Sequence, residues 1–273
     1  LLDTIALFGT GLFGGFLAGL LGIGGSPIYV FAFTIFITQK FGDVLNSDEQ
    51  VKMIIANTSF AKIFAALSGS IKHLRNNNFF WKPVLLISIP AIFIALATSY
   101  FLQGITYSKK TFSIIFIVLL IPLLLRLIIQ KNEDTESFVD SGSVAFSYSL
   151  LGGFAGLIAA VSGLGGGVLL VPVLNSFFRL KIKQVVSISL GVILLTAIAV
   201  TIYYWLFYDF STLIPGTIGG ISLELSLPMI IGVVLAAPIG VSFSTKLSPT
   251  TIRILFVGIC LIIIGKTIFV DLI

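Results

Sequence analysis

Gly11–Val30 reads GLFGGFLAGLLGIGGSPIYV, and Gly152–Val171 reads GGFAGLIAAVSGLGGGVLLV. Laid over one another without gaps, they share Gly11/Gly152, Phe13/Phe154, Gly15/Gly156, Ala18/Ala159, Gly22/Gly163, Gly24/Gly165, Gly25/Gly166 and Val30/Val171. Two glycine-rich apolar helices agree at a few glycines by composition. A shared G-[IL]-G-G with the same small residues at fixed offsets upstream marks an internal repeat. The polar run QKNEDTESFVDSGS at 130–143 falls between the two copies. The expected organisation is a first repeat over 1–130, a linker over 131–143 and a second repeat over 144–273.

The solvent of both halves follows from composition. The chain has 273 residues, 57% of them hydrophobic and 10% charged, with mean hydropathy +1.15. Soluble domains carry roughly 25% charged residues, so most of this surface must face lipid. The expected fold class is an all-α integral membrane protein. Candidate spans are 51–71, 83–102, 111–129, 185–208, 226–244 and 250–269, with longer apolar stretches at 4–38 and 145–178. Helix starts are expected at Ser47-Asp48-Glu49-Gln50 (a capping box), Pro83 and Ser248-Pro249. The single cysteine, Cys260, and the single histidine, His73, exclude an intrachain disulfide and a Cys/His metal cluster. No cofactor is expected. The net charge of +5 lies in short loops between apolar runs, which is the pattern of membrane topology and not of nucleic-acid binding.

The stretch 4–38 is too long to be one helix in a bilayer. At ~1.5 Å per residue its ~35 residues would exceed ~50 Å, against a hydrocarbon core of ~30 Å. It can break at Gly22-Ile23-Gly24-Gly25-Ser26-Pro27, where glycine frees the backbone and Pro27 lacks an N–H. Irregular backbone at membrane depth is tolerated only inside protein or beside a watery cavity. Its free N–H groups, at the start of the following helix, make a natural anion site. Gly24, Gly25, Ser26 and Pro27, with Gly165, Gly166 and Gly167 in the second copy, are the backbone candidates. The alternative is close packing, and Gly11, Gly15 and Gly19 read as a GxxxG face. Gly9-Thr10-Gly11-Leu12-Phe13-Gly14 also fits G-x-G-x-x-G, but no strand precedes it and no dinucleotide site is expected.

Two topologies compete. If each glycine element spans, the halves are parallel repeats of four spans. If each is re-entrant, they are inverted repeats of three spans plus a broken element. The distribution of Lys and Arg favours the second, because the basic 72–82 loop then joins the cytoplasmic side. Either topology puts both termini outside.

Polar side chains within the spans supply the remaining candidates. Span 51–71 holds Asn57-Thr58-Ser59 and then Lys62. A lysine near the bilayer centre costs at least ~2.5 kcal/mol on insertion scales, so it faces a cavity or a partner. Thr58 lies one turn before Lys62 on the same face, and a hydroxyl beside an ammonium suits an anion with several oxygens. The alternatives are a snorkelling lysine or one paired to a carboxylate, although none is visible in the apolar runs. Ser187 and Ser189 open the matching span of the second half, where Val192 stands in place of the lysine. His73 reads as a loop residue at the interface, and Trp81, Tyr203, Tyr204 and Trp205 as an aromatic belt.

The repeated element, each copy followed by Asn-Thr-Ser or Ser-Ile-Ser, resembles the TauE/SafE (sulfite exporter) family over nearly the whole chain. Gly163–Pro172 carries the resemblance best. The first copy departs from it, with Ser26 for the third glycine and Pro27 four residues early. The resemblance implies a bacterial cytoplasmic-membrane permease for sulfite or organosulfonates, in most members exporting. Uptake of sulfonates, or an anion channel on the same scaffold, is the alternative. An outgoing monovalent anion gains about 2.3 kcal/mol per 100 mV of inside-negative potential. The expected partners are a small anion and the bilayer, with a homodimer as one option for assembly. No HExxH, Ser/His/Asp set or paired membrane carboxylates point to an enzyme. With Ser26, Pro27 and Lys62 all in one half, that half is expected to read the charge of the anion.

Overall fold

The computed structural model describes residues 2–129, 142–244, 254, 257–258, 261–265 and 267–268. Cys260 and the expected helix start at Ser248-Pro249 lie outside these. The described chain is almost wholly helical: α1 Leu2–Leu21, α2 Ser26–Phe41, α3 Ser47–Arg75, α4 Trp81–Gln103, α5 Lys109–Ile129, α6 Gly142–Ser162, α7 Gly167–Ser176, α8 Ile182–Phe207 and α9 Leu223–Phe243. Residues 261–265 are again helical. Among the described residues, six helices are long and apolar enough to cross a membrane: α1, α3, α4, α6, α8 and α9. This is an all-α membrane protein. Among the described residues the one small exception is a two-stranded antiparallel ribbon, β1 Thr217–Ile218 and β2 Ile221–Ser222, ahead of α9.

The start of α3 differs by one residue from the sequence reading. Asn46, not Ser47, is the N-cap: its side chain accepts from the Glu49 N–H at 3.0 Å, and Glu49 Oε2 accepts from the Asn46 N–H at 2.8 Å. The capping box is therefore Asn46-x-x-Glu49. Ser47 instead accepts from the Lys109 N–H at 2.7 Å, tying α3 to the start of α5.

Glycine decides how the long helices meet. A Cβ on Gly11 would lie 2.1 Å from the Met229 carbonyl oxygen, and one on Gly19 2.0 Å from that of Ala237. On the other side of the molecule, Gly152 and Gly156 stand in the same relation to the carbonyls of Ile87 and Ala91, at 2.1 and 2.2 Å. So α1 packs on α9, and α6 on α4, backbone against backbone, as small residues allow in lipid. The register that pairs Gly11 with Gly152 in sequence also pairs their contacts, and it pairs Gly156 with Gly15, whose Cβ would lie 2.7 Å from the Val233 backbone.

The contacts give each helix a direction. α1 runs with α9 (Gly11 by Met229, Gly19 by Ala237), and α9 runs with α3 (Ser226 by Asn57, Val241 by Gly69). α6 runs with α4, and α4 runs with α8 (Val84 by Gly191, Gln103 by Tyr203). α3 and α8 run against each other: Gly69 lies on Leu190, while Ala56 and Tyr204 meet at Gly220.

Both long apolar stretches break at the glycines. A Cβ on Gly25 would lie 2.4 Å from the Gly14 carbonyl oxygen, so the chain leaves α1 at Leu21 and folds back beside Gly14. That retreat is roughly 10 Å along the helix. α2 starts there and returns to the end where α1 began, pairing Lys40 with Glu224 at the start of α9. Gly166 likewise falls back onto Ala155, and Phe178, just past α7, packs on Tyr148 near the start of α6. Each element is thus a lopsided hairpin, with a helix of 20 or 21 residues out and a shorter helix that starts part-way back along it on the return.

Candidate functional site

The two breaks meet. A Cβ on Gly167 would stand 3.0 Å from Ile23 Cα, and one on Gly165 would stand 3.5 Å from Ser26 Oγ. Gly24 and Gly165 sit in the left-handed region at φ +78° and +73°, which turns the chain into α2 and α7 at little steric cost only for glycine. The starts of α2 and α7 therefore lie together, with first-turn N–H groups that have no partner within their own helices. Pro27, in the first turn of α2, lacks an N–H and serves to start the helix.

Each break is held by the third helix of the other half. Along α3, the stripe Ile55, Thr58, Ser59 and Lys62 faces the second break. Ile55 packs on Gly163, and Lys62 Nζ donates to the Gly163 carbonyl at 2.9 Å. Nζ is also 3.4 Å from where a Gly165 Cβ would be. Along α8, Val186 packs on Gly22, Ser189 Oγ donates to the Gly22 carbonyl at 2.7 Å, and Ile193 packs on Gly24 and Gly167. Lys62 is 2% exposed. It does not snorkel, and among the described residues no carboxylate pairs with it.

Two expectations change here. Lys62 was grouped with its own half's break, but its amine serves the second-half break. Its counterpart against Gly24 is Ile193, whereas sequence alignment placed Val192 there. One end of the junction is therefore cationic and hydroxylic, the other aliphatic.

The remaining candidates divide. Ser26, Thr58 and Ser59 are buried at the junction or on the α3 stripe, and the Thr58 and Ser59 hydroxyls have no partner among the described residues. Ser187 is buried with an equally unpartnered hydroxyl, next to Val186 and one turn from Leu190. Ser189 is consumed by the Gly22 carbonyl. Asn57 is not in the junction. Its Nδ2 donates to Met53 O at 2.7 Å and Gly220 O at 3.2 Å, and its Oδ1 accepts from Ser222 N–H at 2.9 Å and Ser226 Oγ at 2.7 Å. With all its bonding capacity used, Asn57 pins the ribbon to α3 and α9. Asn57→Ala is expected to cost about 2–4 kcal/mol by stranding buried donors. A lower unfolding temperature with unchanged anion preference would bear this out.

Aromatic and charged residues close the start of α3. Lys52 pairs with Asp48, and its Nζ lies 5.5 Å from the centre of the Tyr208 ring. Tyr204 stacks on Tyr208 at 5.0 Å, and Asp48 accepts from the Tyr107 N–H at 3.0 Å. Tyr203 and Tyr204 are buried, so they are not belt residues; Trp81 and Trp205 are exposed, as a belt requires. His73 lies buried in the last turn of α3, with Nδ1 3.2 Å from Asn78 Nδ2.

Tyr29 was not singled out from sequence. It is fully buried, and its hydroxyl would touch a Cβ on Gly25 at 2.7 Å. The signal was available in the repeat: Gly14 and Tyr29 stand where the second half has Ala155 and Leu170.

A buried junction of two broken helices, holding one lysine and set among helices long and apolar enough to cross a membrane, is the architecture of a membrane transporter. The chain belongs to the sulfite exporter TauE/SafE family, whose model matches residues 7–267. It is similar to a probable membrane transporter protein of Methanocaldococcus jannaschii, 27% identical over 90% of this chain and 88% of that one. A probable membrane transporter protein of Haemophilus influenzae is 29% identical over 66% of this chain and 65% of its own length. The probable membrane transporter protein YunE of Bacillus subtilis is 22% identical over 97% and 96%. No solved structure matches the chain.

Proposed function

We propose that this protein is a secondary permease of the cytoplasmic membrane for a small sulfur oxyanion, sulfite or an organosulfonate, with export as its working direction. The observation that carries this is the buried Lys62 amine at the meeting point of two half-helix starts. Helix starts favour anions by up to about 2 kcal/mol in partly buried sites. With the ammonium and the hydroxyls of Ser26, Thr58 and Ser59, they offer more donors than a single carboxylate needs. The aliphatic end, Ile193 and Ile23, suits the carbon part of a sulfonate.

The two halves act as inverted repeats, with both termini outside. The opposed directions of α3 and α8 and the exchanged pairs α1–α9 and α4–α6 support this arrangement. A carrier fits better than a channel, because Ser26, Thr58, Ser187 and Ser189, at the junction and on the helices that hold it, are fully buried. The reading is tested in proteoliposomes loaded with sulfite, thiosulfate, taurine or sulfoacetate. Saturable counterflow of at least one of these is expected. Ohmic anion current without saturation would replace the carrier with a channel, and no flux of any of them would end the sulfur-anion reading.

A further inference from the structure

The hydroxyl of Tyr29 is placed one turn into α2, where the Tyr29 N–H donates to the Gly25 carbonyl at 3.2 Å. Side chains on a helix lean toward its N-terminus, so this ring lies back over the cap and delivers its oxygen to the level of the break. The ring has 0% exposure, and the hydroxyl has no hydrogen-bond partner among the described residues. Phenylalanine would pack the same ring without burying an unpaired donor, which is a costly thing to keep.

The second half shows what the site looks like without it. Leu170 occupies the matching position, its N–H donating to the Gly166 carbonyl at 2.8 Å as Tyr29 does to Gly25. Gly166 there meets the Ala155 methyl. In the first half a Cβ on residue 14 would come within 2.4 Å of Tyr29 Cε1, so the ring requires Gly14. The two changes are matched: a methyl is removed from α1 and a phenol is admitted on α2. Their joint result is one extra hydroxyl at one break.

We infer that the Tyr29 hydroxyl donates a hydrogen bond to an oxygen of the transported anion at the first break, and so sets affinity and selectivity together with Lys62. This rests on the anion-carrier reading. It assigns a role in binding to a residue whose ring alone accounts for the packing.

The test is thermal unfolding of the full chain in detergent, titrated with sulfite and with taurine, for wild type and Tyr29→Phe. Tyr29→Phe is expected to unfold no lower than wild type without anion, and to need about 10–100-fold more anion for the same stabilisation. Equal anion affinity in the two proteins overturns the inference, and so does a lower unfolding temperature of the anion-free variant, which would mean the hydroxyl is bonded within the protein. The double variant Gly14→Ala with Tyr29→Leu copies the second half's own packing. It should fold and show the same weakened binding, and unweakened binding there also overturns the inference. If wild type itself gives no saturable shift with either anion, the carrier reading fails first and Tyr29 loses its role with it.

Discussion

Lys62→Met abolishes measurable flux while the protein still inserts, folds and elutes as wild type. Methionine keeps the length and apolar stem of the side chain, so packing on the second break persists. What is lost is the ammonium, and with it a donor to the Gly163 carbonyl at 2.9 Å. A charge-assisted hydrogen bond is worth about 1.5–3 kcal/mol, so anion binding should weaken by about 10–150-fold even before any effect on the rate. Anion-free stability should change little, because relief of the cost of burying an unpaired ammonium offsets the Gly163 carbonyl left without this donor. The measurements are counterflow in proteoliposomes and anion-induced thermal shift on the same preparation. Normal flux in Lys62→Met would remove Lys62 from the transport path. Loss of folding would recast the lysine as a structural tie between the halves.

Leucine at Gly19 or at Gly156 gives no monodisperse protein. In each case the new Cβ would enter the space of a backbone carbonyl on the neighbouring helix, Ala237 at 2.0 Å or Ala91 at 2.2 Å. A flexible side chain can move aside, but a helix backbone moves only as a unit. Overpacking typically costs 1–3 kcal/mol, and here about 3 kcal/mol or more is expected, because separating α1 from α9 also opens the floor under the first break. Gly9→Leu is the control on the same helix. None of the described residues lies within 4 Å of its Cβ position, so it should express and unfold as wild type. Fluorescence-detected size exclusion separates these outcomes. A well-behaved Gly19→Leu protein would show that α1 and α9 are not held at backbone contact.

The residues that were legible in sequence are those whose physics is local. Glycine runs that cannot stay helical, apolar runs that cannot stay in water and a lysine that cannot stay in lipid all announce themselves. The broken helices, the GxxxG faces and the burial of Lys62 follow from these. Less legible was anything set by how the halves dock. Asn57 looks like a site residue from its neighbours Thr58 and Ser59, yet it points to a ribbon more than 160 positions away (|i−j| = 163 to Gly220). Lys62 looks like a first-half residue, yet its amine belongs to the second-half break. Ile193, and not Val192, is its counterpart, because it is Ile193 that packs on Gly24 as Lys62 packs on Gly165. Tyr29 was hidden because a tyrosine in an apolar helix is unremarkable until its hydroxyl is found unpaired.

The tip-to-tip arrangement of α2 and α7 has a kinetic corollary. The half-helices start from one shared point and run in opposite directions, so on the carrier reading proposed above ions arriving from either compartment meet the same donors. Nothing in such a binding point works as a ratchet. Net movement is then set by gradients and voltage, and reversing both must reverse the flow. Protein reconstituted in mixed orientation should accordingly show a single apparent affinity, with no second component from the molecules facing the other way.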